Sequence, residues 1–193
     1  MSILHPGAPL LFMKVGIHAN ESLDDILKRK QREIDEGGFA MWGYGGSTCH
    51  PLTVVRPFAA MFEGQSEPIK LVMEEIDSHH FAEQIAADQY SVDGHDWVDI
   101  DTRIHRVLGS RYALFIDNLV LEDIELPLEQ SKVALGACEG RRGNEYIKGR
   151  VDKACLIYDP DQSHSATSVK KIGLVANIVA PYAALLRNTP VND

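Results

Sequence analysis

The residue types best suited to chemistry crowd into one stretch, 37–51, which reads GGFAMWGYGGSTCHP. Glycine pairs bracket a short aromatic segment, so the backbone can turn sharply at both ends. Trp42 and Tyr44 stand two residues apart and in a strand share one face, with Met41 on the other. Beside Gly45 and Gly46, which carry no side chain, that face suits a flat ring, and stacking on an aromatic is worth ~1–3 kcal/mol per base. The same pair would equally serve as core filler. Cys49 and His50 pair a thiol with an imidazole, the raw materials of nucleophilic catalysis. Neighbours in sequence rarely aim at each other, and no supporting Asp or Asn can be singled out. A buried thiol beside a loop histidine is the simpler reading, with His50 kept as a hydrogen-bond donor to a ligand.

A second group is cationic. Gly136, Gly140 and Gly143 punctuate a turn that carries Arg141, Arg142 and Asn144 into an expected helix. Free peptide N–H groups at such a helix start attract anions, and arginine grips phosphate bidentately. The turn matches neither a Walker loop nor a dinucleotide fingerprint. A solvated basic turn is the competing reading. A third group, His79, His80, His95 and His105 with Asp93, Asp96, Asp99 and Asp101, has the atoms for a divalent metal. Its spacing fits no known ligand motif, because a calcium loop built around Gly94 would need Glu where Ile100 stands. No metal and no cofactor is therefore expected.

The elements that must hold these residues are legible in part. Apolar 10–17 reads as a buried strand. Ser22 opens a helix over 22–36 in the manner of a capping box, and Gly37-Gly38 ends it. Leu23, Ile26, Leu27 and Ile34 form its inner stripe, with Lys28, Arg29 and Arg32 outside. An aromatic strand over 38–44 follows, then a short helix from Arg56 or Pro57 to Phe62. A strand over 69–76 leads to a helix from His79 to Ala87, with Phe81 and Ile85 inward. Short strands are expected at 97–100 and 132–135, and a longer one at 112–121. Ile147, Val151, Ala154, Cys155 and Tyr158 fall at helical spacing and predict a helix over 144–158. The chain closes on strands 169–179 and 182–186, broken at Pro181.

Helices and strands are thus mixed without βαβ alternation. The expected fold is one α+β domain spanning 1–193: a mixed, largely antiparallel sheet, or a small curved barrel, flanked by three or four helices. The early order of strand, helix, tryptophan-bearing strand, short helix and strand is similar to that of PUA-like barrels, which hold a modified base against an aromatic. The similarity is one of element order.

Composition bounds the rest. The 193 residues carry a formal net charge of −9, which opposes binding to a nucleic-acid backbone. Three cysteines at wide spacing form no disulfide framework and fit a reducing cytoplasm. No stretch is long and apolar enough to span a membrane, and nothing bars assembly into a homo-oligomer. The leading expectation is a binding protein for a nucleotide-like anionic ligand, through Trp42, Tyr44, Gly45, Gly46, His50, Arg141, Arg142 and Asn144 in a single cleft. The alternatives are a hydrolase or transferase on such a ligand, using His50 with Cys49, and an interaction module working through its acidic surface.

Overall fold

The computed structural model describes residues 2–80, 82–104, 106–149, 151–160 and 167–188. Its elements are β1 (Pro9–His18), α1 (Leu23–Gly37), β2 (Ala40–Tyr44), a π-helical turn (Pro51–Val55), α2 (Arg56–Ala60), β3 (Ile69–His80), β4 (Gln89–Ser91), β5 (Val98–Asp99), β6 (Tyr112–Pro127), a 3-10 turn (Leu128–Gln130), β7 (Ser131–Val133), α3 (Gly143–Tyr146), β8 (Lys153–Tyr158) and β9 (Val169–Arg187). All nine strands belong to one mixed sheet of order β2-β6-β9-β3-β1-β8-β7, with β4 on the end of β9 and β5 on β4. Only the β1–β3 pair is parallel. The architecture is α+β, as the sequence predicts. The sheet is not closed: β2 ends the path with β6 as its only partner, so the barrel alternative does not hold.

Helix α1 forms where its signals put it. The Ser22 hydroxyl accepts from the Asp25 amide, and Gly38, in the left-handed region at φ 83°, closes the helix by donating to the Ile34 carbonyl. Its inner surface packs on a core face built from alternate sheet residues, including Met13, Val15, Trp42, Tyr44, Leu71, Leu114 and Ala176. The π-helical turn and α2 cover the rest of that face through Val55 and Phe58. The opposite face has two further clusters, one around Phe12, Val72 and Leu156 and one around Met41, Phe115 and Val107.

Three expectations fail. The helix over 79–87 does not form. Strand β3 runs on to His80 because β1, after a register shift between Val15 and Ile17, continues to pair with it at Ile17–His79 and His18–His80. Phe81, placed inward from the sequence, lies outside the described residues, and Ile85 is exposed. The helix over 144–158 shrinks to the single turn α3, and Lys153–Tyr158 is strand, bonded to β1 on one side and β7 on the other. Gly149, at φ 57°, separates the two. The closing segment is one strand through Pro181, because 112–127 of β6 supplies a partner along most of its length.

Candidate functional site

A cavity of about 470 Å³ opens where the sheet fails to close, a volume suited to a small ligand. Strand β8 accompanies β1 only as far as Met13–Lys153. The Lys14 amide still donates to the Asp152 carbonyl, and past it no strand among the described residues pairs with that edge of β1, nor with the outer edge of β2. Residues 13–18 of β1 and 42–46 of the β2 segment all line the cavity. Side chains alternate between faces along a strand, so consecutive lining residues mean that the cavity runs along the strand edges. Helix α1 links the two strands and roofs the slot with Leu23, Ile26, Arg29 and Lys30.

The far wall is the segment 106–111, which α1 holds in place. Arg29 donates to the Arg106 carbonyl, and Lys30 Nζ donates to the same oxygen at 3.0 Å. Arg29 also pairs with Glu21 at 2.5 Å, and Lys30 with buried Glu33 at 2.9 Å. His18 Nε2 reaches the Leu108 carbonyl at 2.9 Å. Burial lowers the Lys30 pKa to about 8 despite the Glu33 charge, which pulls the other way. These cations are committed to positioning.

Others are not. Arg106 and Arg111 are exposed at the cavity wall, and neither has an ion-pair partner among the described residues. Arg111 lies 5.6 Å from the Tyr112 ring centre. Lys153 is nearly buried, points into the slot beside Gly46, and bonds Asp152 at 2.6 Å. Lys14 borders the cavity from β1, but strand alternation turns its side chain to the face opposite Met13 and Val15. With Lys14 turned away, Arg29, Lys30, Arg106, Arg111 and Lys153 line the space, with Glu21 and Asp152 as the acids of the lining and Glu33 paired with Lys30 behind it. The cavity is cationic in a chain of net charge −9.

Trp42, Tyr44, Gly45 and Gly46 line this cavity. Trp42 is 5 % exposed and belongs to the core cluster while also lining the cavity. The Tyr44 hydroxyl is spent on the Cys49 carbonyl at 2.7 Å, and burial pushes its pKa up. Gly45 has nothing within 4 Å of where a Cβ would sit, so its backbone meets open space.

The remaining expected site residues are elsewhere. His50 is not in the lining. Its Nδ1 accepts from the Leu52 amide at 3.3 Å, and its ring packs edge-on against Tyr112. It caps the π-helical turn. Cys49 is buried against Cys155. The hydrogen bond between the two thiols, together with burial, pushes Cys155 well above the ordinary thiol pKa, which is the reverse of an activated nucleophile. Arg141, Arg142 and Asn144 also lie off the lining. Arg142 bonds Asp159, Arg141 is exposed with Glu145 at 3.9 Å, and the Asn144 side-chain oxygen is buried without a partner. Trp42 and the Arg141-Arg142 turn thus do not share the lining of this cavity. The cavity that Trp42 lines has Arg106, Arg111 and Lys153 in its wall instead.

Among the described residues, no group of three or more His, Cys, Asp or Glu is placed to hold a metal. His105 lies outside that set. Asp93 instead accepts the His95 and Asp96 amides and the Ser91 hydroxyl, which lower its pKa to about 2, and Asp101 binds Arg103. No helix among the described residues is long and apolar enough to cross a membrane.

Sequence reasoning missed Arg106, Arg111, Lys30 and Lys153. Lys30 alone left a signal: it falls on the apolar stripe of its helix, four residues after Ile26 and four before Ile34. Comparison with protein-family models, with curated proteins and with solved structures finds no match for this chain.

Proposed function

We propose that the protein binds a nucleotide-like anionic small molecule in the slot between β1 and β2. One observation carries the reading: a cavity of ligand size joins an aromatic wall at Trp42 to Arg106 and Arg111, which have no ion-pair partner among the described residues, inside an otherwise acidic chain. A planar ring takes the Trp42 and Gly45 side, and the anionic group takes the arginines. The pinned 106–111 segment gives a preformed site, which lowers the ordering cost of binding.

The test is a thermal-shift screen of the whole chain against nucleoside monophosphates, followed by titration calorimetry. A ligand that binds only the folded state raises the melting temperature. Arg106→Ala with Arg111→Ala weakens binding, and the loss shrinks as salt rises, since exposed charge is screened over about 8–10 Å. Trp42→Phe, chosen over alanine because Trp42 is also core, weakens binding with little dependence on salt. A full nucleotide panel that neither shifts melting nor titrates at millimolar concentration overturns the proposal.

A further inference from the structure

The open edge of β2 carries chemistry that the aromatic and the arginines do not. In an antiparallel ladder, alternate residues turn their N–H and C=O away from the partner strand. On β2 that outward set has no strand to meet. Apart from the β6 ladder, the described contacts give β2 one further backbone hydrogen bond, donated by the Arg111 amide to the Tyr44 carbonyl. None crosses the slot to residues 13–18 of β1. An exposed row of strand donors and acceptors ordinarily recruits another chain or is covered. Here α1 roofs it, and the space left beside it has the volume of a small ligand.

The composition of that edge leaves the row accessible. Gly43 and Gly45 place no side chain of their own over their peptide groups, and both line the cavity, with Tyr44 between them and Trp42 just before. The Trp42 indole N–H has no hydrogen-bond partner among the described residues. A bare phosphate or an aliphatic acid would use the arginines and leave this row idle. A planar heterocycle with a donor and an acceptor side by side on its rim would use both the Trp42 face and the row.

Building on the nucleotide reading above, we infer that the open β2 edge at Gly43–Gly45 reads the hydrogen-bonding edge of a nucleobase, so that the ligand is a base-specific nucleotide. Peptide groups fixed in a sheet cannot rotate to suit a second pattern. They reward one arrangement of donors and acceptors and leave others unpaired, which is the stronger form of discrimination.

The experiment is calorimetric titration of the whole chain, at one fixed ionic strength, with the 5′-monophosphates of adenosine, guanosine, cytidine and uridine. Ribose 5-phosphate serves as the base-free probe. The best binder is then compared with its analogue methylated on the ring nitrogen of the pairing edge. The expected result is one base preferred at least tenfold, ribose 5-phosphate at least a hundredfold weaker than that nucleotide, and at least tenfold lost on methylation. Equal affinity for all four nucleotides, or tolerance of the methyl group, overturns the base-reading role while leaving nucleotide binding in place. Ribose 5-phosphate matching the nucleotides overturns it as well. Failure of every nucleotide to bind removes the nucleotide reading and this inference with it.

Discussion

Replacing Gly45 by leucine separates a ligand cavity from a packing device. The backbone there is not in the left-handed region, and no heavy atom lies within 4 Å of the position a Cβ would take. Leucine can therefore be accommodated without strain, and its side chain enters open space at the cavity lining. Stability should change by no more than about 0.5 kcal/mol, as for a substitution that disturbs no contact. For a chain of this size that is a melting shift of at most about 2 °C. Affinity for the preferred nucleotide should fall at least tenfold, a loss of about 1.4 kcal/mol. Gly43→Ala is the contrast. Its Cβ would meet Ser110 Oγ at 2.4 Å and Val107 Cγ1 at 2.8 Å. Both belong to the segment that Arg29, Lys30 and His18 hold down, so it cannot move aside freely. Overpacking of this kind costs about 1–3 kcal/mol, a drop of several degrees. The assays are thermal melts of both variants and calorimetric titration of Gly45→Leu. Unchanged affinity in Gly45→Leu refutes the placement of the ligand. A melting temperature lowered by more than about 5 °C in that variant refutes the claim that the space is empty.

The folded Lys30 pKa of about 8 lies below the unfolded value of 10.5, so between those values the unfolded chain holds the extra proton and the Lys30 contribution to stability rises with pH. Urea melts of the wild type against Lys30→Met should show the difference moving toward the wild type by about 1 kcal/mol per pH unit from pH 8 to 10; a flat difference removes burial as the controlling cause. Leu114→Ala, at a fully buried position, should cost about 2–5 kcal/mol in the same melts, and half-buried Leu27→Ala clearly less; the reverse order would misplace the face α1 presents. Treatment with EDTA should leave the melting temperature unchanged, and a loss of several degrees restored by a divalent ion would assign the histidines and aspartates of 79–105 a role not given to them here.

Local grammar made α1 readable, because its start and stop are written in Ser22 and Gly38 and need no tertiary partner. Strands buried on both faces were harder. Lys153–Tyr158 sets Ala154 and Leu156 in one cluster and Cys155 and Ile157 in another, so both parities are apolar and alternation vanishes. The residual pattern then coincided with helical spacing. The end of β3 is hidden in the sequence for a related reason. His79 and His80 are polar, and they are strand only because β1 resumes pairing with them after its shift.

The site divides along the same line. Its apolar half was visible because glycine and tryptophan are scarce and informative wherever they cluster. Its cationic half was not, because single arginines at 106 and 111 have no local pattern. They acquire meaning only when Arg29 and Lys30 fasten the Arg106 carbonyl to α1. The adjacent pair Arg141-Arg142 looked like the stronger anion site because density is what a linear reading detects. In three dimensions Asp159 takes Arg142 and the pair lies off the cavity. Charge available to a ligand is what remains after internal partners are subtracted, and among the described residues that subtraction leaves Arg106 and Arg111 on the wall of the cavity Trp42 lines. The same logic applies to the backbone. A strand edge is ordinarily consumed by its neighbour, and the peptide groups of β2 remain available only because the sheet stops there.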